Sequence, residues 1–119
     1  MHCLLAIFQL VLTGPANAVD GDTIVIEGVD ERVRLFGIQA PELGHHGTRS
    51  QPGSRVAQRA LSRILSEGEV SCVHVDRDRY GRHVAICSID GEDIAPRLMR
   101  ETRWVTEWCK YSGGYYGKC

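Results

Sequence analysis

One amphipathic helix pattern lies between two pairs of strand patterns, and this order restricts the possible folds more than any other feature. In residues 53–66 the apolar side chains recur at helical spacing. Residues 23–27 and 32–38 are rich in β-branched and apolar residues and flank a turn-prone stretch, so they predict a hairpin. Residues 70–76 and 82–89 predict a second hairpin. At 119 residues the chain can form one core but is too short for two.

A second, shorter helix pattern follows the last strand. Asp93 is placed to cap it, Pro96 fits its first turn, and the pattern runs to about residue 101. Three strands, a helix, two strands and a further helix match the small Greek-key barrel of the OB type. We therefore predict a mainly β (α+β) fold, a five-stranded OB-fold Greek-key barrel with two short helices packed on it.

A loop is predicted between the third strand and the first helix. Residues 39–52 contain two prolines, Gly44, Gly47 and the adjacent His45 and His46, without sustained periodicity. We expect the two histidines to lie on the surface. Functional groups often lie on loops of this kind.

The beginning of the chain has the features of an export signal. Residues 3–12 form an apolar run, and Ala16-Asn17-Ala18 has the small-x-small form of a signal-peptidase site. No Lys or Arg precedes the run, and residues 16–19 also fit the first barrel strand, so an uncleaved anchor or a mis-assigned start codon stays open. The run is short for a membrane span. We predict a leader in residues 1–18, a domain in residues 19–119, and a secreted or periplasmic protein, with membrane anchoring by an uncleaved leader as the alternative.

The charge balance argues against a strongly basic surface. The net charge is -1, so we do not expect a nonspecific grip on nucleic acid by bulk electrostatics. Arg far outnumbers Lys, which occurs only at Lys110 and Lys118. The planar fork of Arg can hold a phosphate with two hydrogen bonds. Any phosphate site must therefore be local.

The cysteines suit an oxidising compartment. Cys3 lies in the predicted leader, and the other four can pair evenly. A hairpin would bring Cys72 opposite Cys87, while Cys109 and Cys119 would close a glycine-rich tail. The alternative is four buried free thiols. A zinc site is disfavoured, because there is no close Cys-x-x-Cys pair.

Three short motifs bring carboxylates and guanidinium groups into one small chain. They are Asp20-Gly21-Asp22-Thr23, residues 34–42 from Arg to Glu, and residues 78–82 from Asp to Arg. A hard cation needs oxygen ligands, a developing phosphorane needs fixed positive charge, and an attacking water needs a base. Over residues 19–94 or so, the three motifs together resemble the staphylococcal-nuclease-like (thermonuclease) family, which also has the OB fold.

The resemblance implies a divalent-cation site. It places Asp22, Gln39 and the backbone carbonyl of Ala40 around the ion, usually Ca²⁺, with Mg²⁺ or Mn²⁺ as alternatives. The family has Asp where this chain has Gln39, so we expect weaker cation binding, although an amide oxygen is an acceptable ligand for Ca²⁺. Asp20 and Thr23 would support Asp22, and Asp20 fits equally well as a turn residue.

The resemblance also implies the catalytic residues. Glu42 corresponds to the general base that orients or deprotonates the attacking water. Arg34 and Arg82 correspond to the pair that contacts the phosphate where negative charge builds. Tyr80 resembles a tyrosine near the bound nucleotide.

The C-terminal part of the chain is rich in aromatic residues. Tyr111, Tyr115 and Tyr116 could offer stacking surfaces to bases. Trp104 and Trp108 are four residues apart, a spacing that favours packing over base stacking.

The sequence therefore predicts an exported, metal-dependent nuclease that hydrolyses phosphodiester bonds of DNA and/or RNA as a monomer. The first alternative is a noncatalytic OB-fold nucleic-acid-binding module whose metal binding is weakened by Gln39. The second is a disulfide-stapled, secreted interaction domain with a protein or polysaccharide partner.

Overall fold

The computed structural model of the protein describes residues 9–44 and 47–119. Within these ranges the chain forms nine short strands and three helices. In chain order they are β1 Val11–Gly14, β2 Ala16–Ala18, β3 Thr23–Ile26, β4 Val33–Leu35, β5 Ile38–Gln39, α1 Ser54–Leu65, β6 Val70–Arg77, β7 His83–Ile89, β8 Glu92–Asp93, α2 Ile94–Glu101, β9 Thr106–Glu107 and α3 Cys109–Ser112. Residues 3–8 of the predicted leader, with Cys3, and the predicted surface residues His45 and His46 lie outside the described residues.

The main sheet curls in the manner of an OB fold, which confirms the predicted fold class. Its strand order is β1-β6-β7-β4-β3-β2, and β8 pairs with β7. β4 and β7 are parallel, while the other neighbours in this sheet are antiparallel. Only Pro15 separates β1 from β2, so one continuous segment pairs with β6 at one end of the order and with β3 at the other. The two edges of the sheet therefore meet through a single stretch of chain.

The core lies between the curled sheet and the helices. Alternate residues of β7 point inward, as do the buried side chains of β3 and β4. α1 buries Ala57, Ala60, Leu61 and Ile64 against them, and its exposed arginines form the opposite face. α2 begins at the predicted cap, where Asp93 accepts a hydrogen bond from the Ala95 N–H.

Gly21 is required by close packing more than by turn geometry. A Cβ atom at this position would lie 2.6 Å from the Cβ of Ala57 and 2.7 Å from that of Ala40. The turn at residues 20–23 therefore presses against α1 and against the segment that follows β5. This contact sets the position of the carboxylates on either side of Gly21.

The prediction of one continuous strand over residues 32–38 is wrong. It is interrupted at Phe36 and Gly37, where Gly37 adopts a left-handed φ of 77°. The chain turns away there, and β5 leaves the main sheet to pair with β9. This separate pairing brings the C-terminal segment alongside Gln39, which the sequence pattern did not indicate.

Both predicted disulfides are present. Cys72 and Cys87 are directly opposite each other in the β6–β7 hairpin, and Cys109 is bonded to Cys119 in the tail. The tail is also tied to Glu107, whose carboxylate accepts hydrogen bonds from the Ser112 hydroxyl and from the backbone N–H groups of Tyr116 and Lys118. These contacts fix the glycine-rich end of the chain against β9.

The division of the chain at Ala18 stays a prediction. In the structure, residues 11–18 form β1 and β2 of the main sheet, so cleavage after Ala18 would remove both strands. In the described part of the chain, no helix has the length and apolar character needed to cross a membrane.

Candidate active site

The Asp20–Thr23 turn directs one buried carboxylate toward β4 and β5. Asp22 Oδ2 accepts a 2.9 Å hydrogen bond from the Ala40 N–H, and Asp22 Oδ1 accepts one of 3.0 Å from the Thr23 hydroxyl. Asp20 Oδ1 accepts from the Asp22 N–H at 3.1 Å, so Asp20 is the turn residue that the sequence also suggested. Burial, followed by the charge of Asp22, raises the pKa of Asp20 to about 7. Two carboxylates therefore share a site that favours only one full negative charge.

Arg34 is held in place from three sides. Its Nη1 lies 2.7 Å from Asp22 Oδ2, and its Nη2 donates to the Ile38 carbonyl at 3.1 Å. Its guanidinium carbon also lies 5.2 Å from the centre of the Trp108 ring. Since only 13% of the side chain is exposed, Arg34 presents a fixed positive charge at the edge of a cleft.

Arg82 is fixed by the turn that precedes it. Its Nε lies 2.6 Å from Asp78 Oδ2, while Asp78 Oδ1 accepts from the backbone N–H groups of Tyr80 and Arg82. Burial opposes ionisation of Asp78, but the hydrogen bonds from Arg82 and Tyr80 outweigh it and lower its pKa. The Tyr80 ring is 69% exposed and lies 4.9 Å from the guanidinium carbon of Arg79 and 5.3 Å from that of Arg82. Tyr80 therefore presents an aromatic surface beside the second arginine.

Glu42 has an exposed side chain on a backbone that is tied down. Its N–H donates to Gln51 Oε1 at 2.8 Å, and its carbonyl accepts from the Gln51 N–H at 2.9 Å. Within the described ranges, no ion pair engages the Glu42 carboxylate. The carboxylate is therefore available to accept a proton from water.

One cleft of about 360 Å³ brings the predicted site residues together. We call it the phosphate cleft, and its lining comprises Asp20, Asp22, Arg34, Gln39, Ala40, Glu42, Gln51, Arg79, Tyr80, Arg82 and Trp108. Thr23 lies behind it and is fully buried, in contact with Asp22. The cleft thus combines cationic donors for a phosphate with a free carboxylate for water. The roles assigned to these residues stay predictions.

The donor set of the cleft suits a hard cation. Asp22, Gln39 and the Ala40 carbonyl supply oxygen atoms, and among the described residues neither His nor Cys lines the cleft. Over residues 9–44 and 47–119, however, no three His, Cys, Asp or Glu side chains cluster closely enough to hold a metal ion. The residues therefore fit Ca²⁺ or Mg²⁺ in chemistry, with few protein charges to bind it.

Two residues of the cleft have surroundings that the sequence pattern does not indicate. Trp108 packs on Tyr111, and it also lines the cleft and lies over Arg34. The backbone N–H of Trp108 donates to the Gly37 carbonyl at 2.7 Å, so the turn away from the main sheet also positions this residue. Gln51 was not singled out at all, because a lone Gln in a loop carries no pattern. The sequence feature that could have identified Gln51 is its position at the end of the loop, just before Pro52 and the start of α1.

The tail tyrosines have different surroundings. Tyr111 packs on Trp108 with ring centres 4.2 Å apart and lines a cavity of about 180 Å³ that opens beside Arg34. Tyr115 packs edge-on against Phe36 at 5.6 Å. Burial, the charge of Asp93 and the hydrogen bond to it raise the pKa of Tyr116, whose hydroxyl donates to Asp93 Oδ2 at 3.0 Å. Tyr116 is therefore a packing residue of the tail.

Comparison with known proteins agrees with this arrangement. The family model described as staphylococcal nuclease homologue matches residues 32–108, which include Arg34, Glu42, Arg82 and Trp108. A succinoglycan biosynthesis protein, ExoI, from Rhizobium meliloti is 38% identical over 103 residues, which cover 81% of this chain and 49% of that protein. A thermonuclease from Staphylococcus intermedius is 36% identical over 90 residues, which cover 71% of this chain and 53% of the thermonuclease. Endonuclease YncB from Bacillus subtilis is 29% identical over 91 residues, which cover 71% of this chain and 43% of YncB.

The chain spans about half the length of the relatives it matches. The family match itself extends over more than half of this chain and contains Arg34, Glu42 and Arg82 of the cleft. The turn with Asp20 and Asp22 precedes the matched residues. The chain therefore belongs to the staphylococcal nuclease homologue family.

Proposed function

We propose that this protein is a nuclease that hydrolyses phosphodiester bonds of DNA and/or RNA. The observation that carries the proposal is the shared cleft, which Glu42 lines together with Arg34 and Arg82, and no ion pair with another described residue engages the Glu42 carboxylate. The relatives named thermonuclease and endonuclease support the same class of reaction.

Arg34 and Arg82 would bind the nonbridging oxygens of the scissile phosphate. Each guanidinium is held by a carboxylate partner, Asp22 for Arg34 and Asp78 for Arg82, so little reorganisation is needed as charge builds on these oxygens. An arginine can donate two hydrogen bonds to one phosphate, which also orients the phosphorus for attack.

Glu42 would take a proton from the attacking water. The new bond forms between the water oxygen and phosphorus, the ester bond to the leaving oxygen breaks, and that oxygen is protonated from solvent. The exposed carboxylate suits this task, because it has no ion-pair partner among the described residues and its backbone is fixed by Gln51.

A divalent cation, with Ca²⁺ as our first choice, would be held by Asp22, Gln39 and the Ala40 carbonyl. When bound, such an ion would neutralise phosphate charge as a Lewis acid. Because Gln39 brings no negative charge, we propose a weaker affinity than a carboxylate at this position would give.

The cavity beside Arg34 would accept the nucleobase attached to the bound phosphate. Trp108 and Tyr111 provide its aromatic wall, and Val75 and Val84 its aliphatic one. Bases stack on such surfaces with little regard to sequence. We also propose that the protein acts in an exported compartment, on the ground of its two disulfides, and that it is a monomer.

One observation favours a noncatalytic nucleic-acid-binding module as the second candidate. Both oxygens of Asp22 are engaged by protein donors, and Gln39 adds no charge, so the cation site is weakly equipped. Such a protein would retain phosphate binding by the two arginines without cleavage.

The test is cleavage of single-stranded DNA and RNA by the oxidised protein with Ca²⁺, Mg²⁺, Mn²⁺ or EDTA. Cleavage that needs a cation supports the proposal, and cleavage in EDTA keeps the nuclease but overturns the cation. Binding without cleavage under every condition supports the binding module. Failure to bind DNA, RNA or a nucleoside 3′,5′-bisphosphate points to the secreted interaction domain.

A further inference from the structure

A groove of about 500 Å³ adjoins the phosphate cleft, and we call it the Trp104 groove. It shares Gln39, Ala40 and Gln51 with the phosphate cleft, so the two spaces are adjacent. Neither Arg34 nor Arg82 lines it. The rest of its wall consists of Pro41, Pro52, Trp104 and Thr106.

Trp104 is firmly positioned at this groove. A Cβ atom on Gly53 would lie 2.1 Å from the indole, so the ring packs directly against the backbone at the start of α1. The backbone N–H of Trp104 donates to the Thr102 hydroxyl at 3.2 Å, and the guanidinium carbon of Arg103 lies 5.1 Å from the ring centre. The indole remains partly exposed. A ring fixed in this way loses little conformational freedom when a ligand packs on it.

The lining chemistry of the groove differs from that of the phosphate cleft. None of the described residues that line it is charged, and Arg103 packs on the Trp104 ring without lining the groove, so a second phosphate would find no cation on these walls. Its polar groups are the amides of Gln39 and Gln51 and the hydroxyl of Thr106, which can both donate and accept hydrogen bonds. An indole and two prolines provide flat apolar walls. This combination suits a flat, uncharged heterocycle with polar edges.

We propose that the Trp104 groove binds a nucleobase of the same strand whose phosphate lies between Arg34 and Arg82. The inference rests on the proposed nuclease function and adds a second base site to it. The three residues that the groove shares with the phosphate cleft identify the occupant as part of the same substrate, and the uncharged lining among the described residues selects the base over a phosphate.

The position of β9 explains how one nucleic-acid strand could reach the aromatic surfaces of both Trp104 and Trp108. Trp104 precedes the two-residue strand β9 and Trp108 follows it, and four residues of chain span at most about 13 Å. The two tryptophans line different cavities, and the phosphate cleft shares residues with both. Two bases bound at these surfaces would be separated from each other and would not stack together.

Binding of short oligonucleotides to the Glu42→Gln protein tests the inference, because this variant should bind without cleaving. Each oligonucleotide lacks one base, and the abasic position is moved along the strand relative to the bond that the unsubstituted protein cleaves. We expect a loss of affinity at two positions, one for each aromatic surface. Stacking of one base corresponds to roughly 5- to 150-fold in affinity.

The variant Glu42→Gln/Trp104→Leu assigns one of these positions to the groove. It should bind the intact oligonucleotide more weakly, and removal of the groove base should then cost nothing further. Glu42→Gln/Trp104→Phe, which keeps an aromatic ring, should restore most of the affinity. Thermal unfolding of both variants shows whether changing the contact between the Trp104 ring and Gly53 destabilises the fold.

Each outcome is decisive. If only one abasic position matters, or if Trp104→Leu leaves both abasic penalties unchanged, the groove does not bind a base and the proposed nuclease function stands. If the abasic strands bind as well as intact ones, the contact is to the sugar-phosphate chain and the inference is overturned. If the unsubstituted protein neither cleaves nor binds any oligonucleotide, the proposed function itself fails.

Discussion

Arg34 Nη1 lies 2.7 Å from Asp22 Oδ2, so the side chain predicted to bind the phosphate is paired with the side chain predicted to bind the cation. Both side chains are largely buried, so the pair is poorly screened by water. A substrate phosphate must share the guanidinium with Asp22, and a cation must share the carboxylate with Arg34. The two binding events should therefore depend on each other.

Arg34→Lys should lower the rate strongly while preserving the charge. A lysine ammonium cannot contact Asp22, the Ile38 carbonyl and two phosphate oxygens with one planar group. We expect kcat to fall by about 100- to 1,000-fold, as for removal of one donor to a developing oxyanion. Steady-state kinetics on single-stranded DNA measure this, with Arg59→Lys on the exposed face of α1 as the control. A normal kcat in Arg34→Lys would remove Arg34 from the mechanism.

Gln39→Asp should tighten cation binding, because it adds a negative charge beside Asp22. We expect the dissociation constant for Ca²⁺ to fall by about tenfold, equivalent to about 1.4 kcal/mol. Calorimetric titration measures the affinity, and the Ca²⁺ concentration that gives half-maximal cleavage should shift with it. Gln39→Glu is the matched control, since its longer side chain carries the same charge to a different position. Unchanged affinity in both variants would place the cation elsewhere.

Gln51→Ala should slow the reaction through its effect on Glu42. The substitution leaves the Glu42 N–H without its 2.8 Å acceptor, which loosens the backbone that carries the proposed base. We expect kcat to fall by about tenfold or more, because small displacements of a reacting group are costly. The free energy of unfolding should change by only about 1 kcal/mol at this exposed position.

Gln51→Glu provides the matched control, because it keeps an oxygen acceptor for the same N–H. Its kcat should lie much closer to that of the unsubstituted protein, and the pH profile of kcat should keep its shape. Equal losses in Gln51→Ala and Gln51→Glu would mean that the hydrogen bond to Glu42 is not what matters.

Glu107 should make the stability of the tail depend on pH. Burial opposes its ionisation, but hydrogen bonds from Ser112, Tyr116 and Lys118 outweigh burial and lower its pKa. A lowered pKa in the folded state stabilises the fold above the unfolded-state value and loses this effect as pH falls through the folded-state value. The Tm advantage over Glu107→Gln should therefore be full near neutral pH and vanish in acid. Thermal unfolding from acid to neutral pH measures it, with exposed Glu27→Gln as the control, and a constant difference would contradict it.

The regular elements could be predicted because their patterns are long. The helix of residues 54–65 and the hairpin of β6 and β7 repeat their apolar positions several times, and the hairpin register then pairs Cys72 with Cys87. The turn around Asp22 and the three motifs of the cleft were also readable, since each has a fixed local spacing.

The C-terminal part could not be predicted in the same way. β9 is only two residues long, so no period exists to indicate its pairing with β5. The spacing of Trp104 and Trp108 suggested neighbours on one packed surface, but the intervening chain is extended and directs the two rings into different cavities. The break at Gly37 produces this arrangement, and a single glycine in an apolar run is only a weak indication that a strand ends there.

The most direct test of the account is the single-turnover rate of cleavage by Glu42→Gln, measured with saturating protein on single-stranded DNA alongside its dissociation constant. Glu42→Gln removes the proton acceptor while keeping the size of the side chain. The account predicts a rate lower by about 100- to 10,000-fold with nearly unchanged affinity for the strand. A Glu42→Gln protein that cleaves at the unsubstituted rate would contradict the proposed site, since the base would then have to be another group.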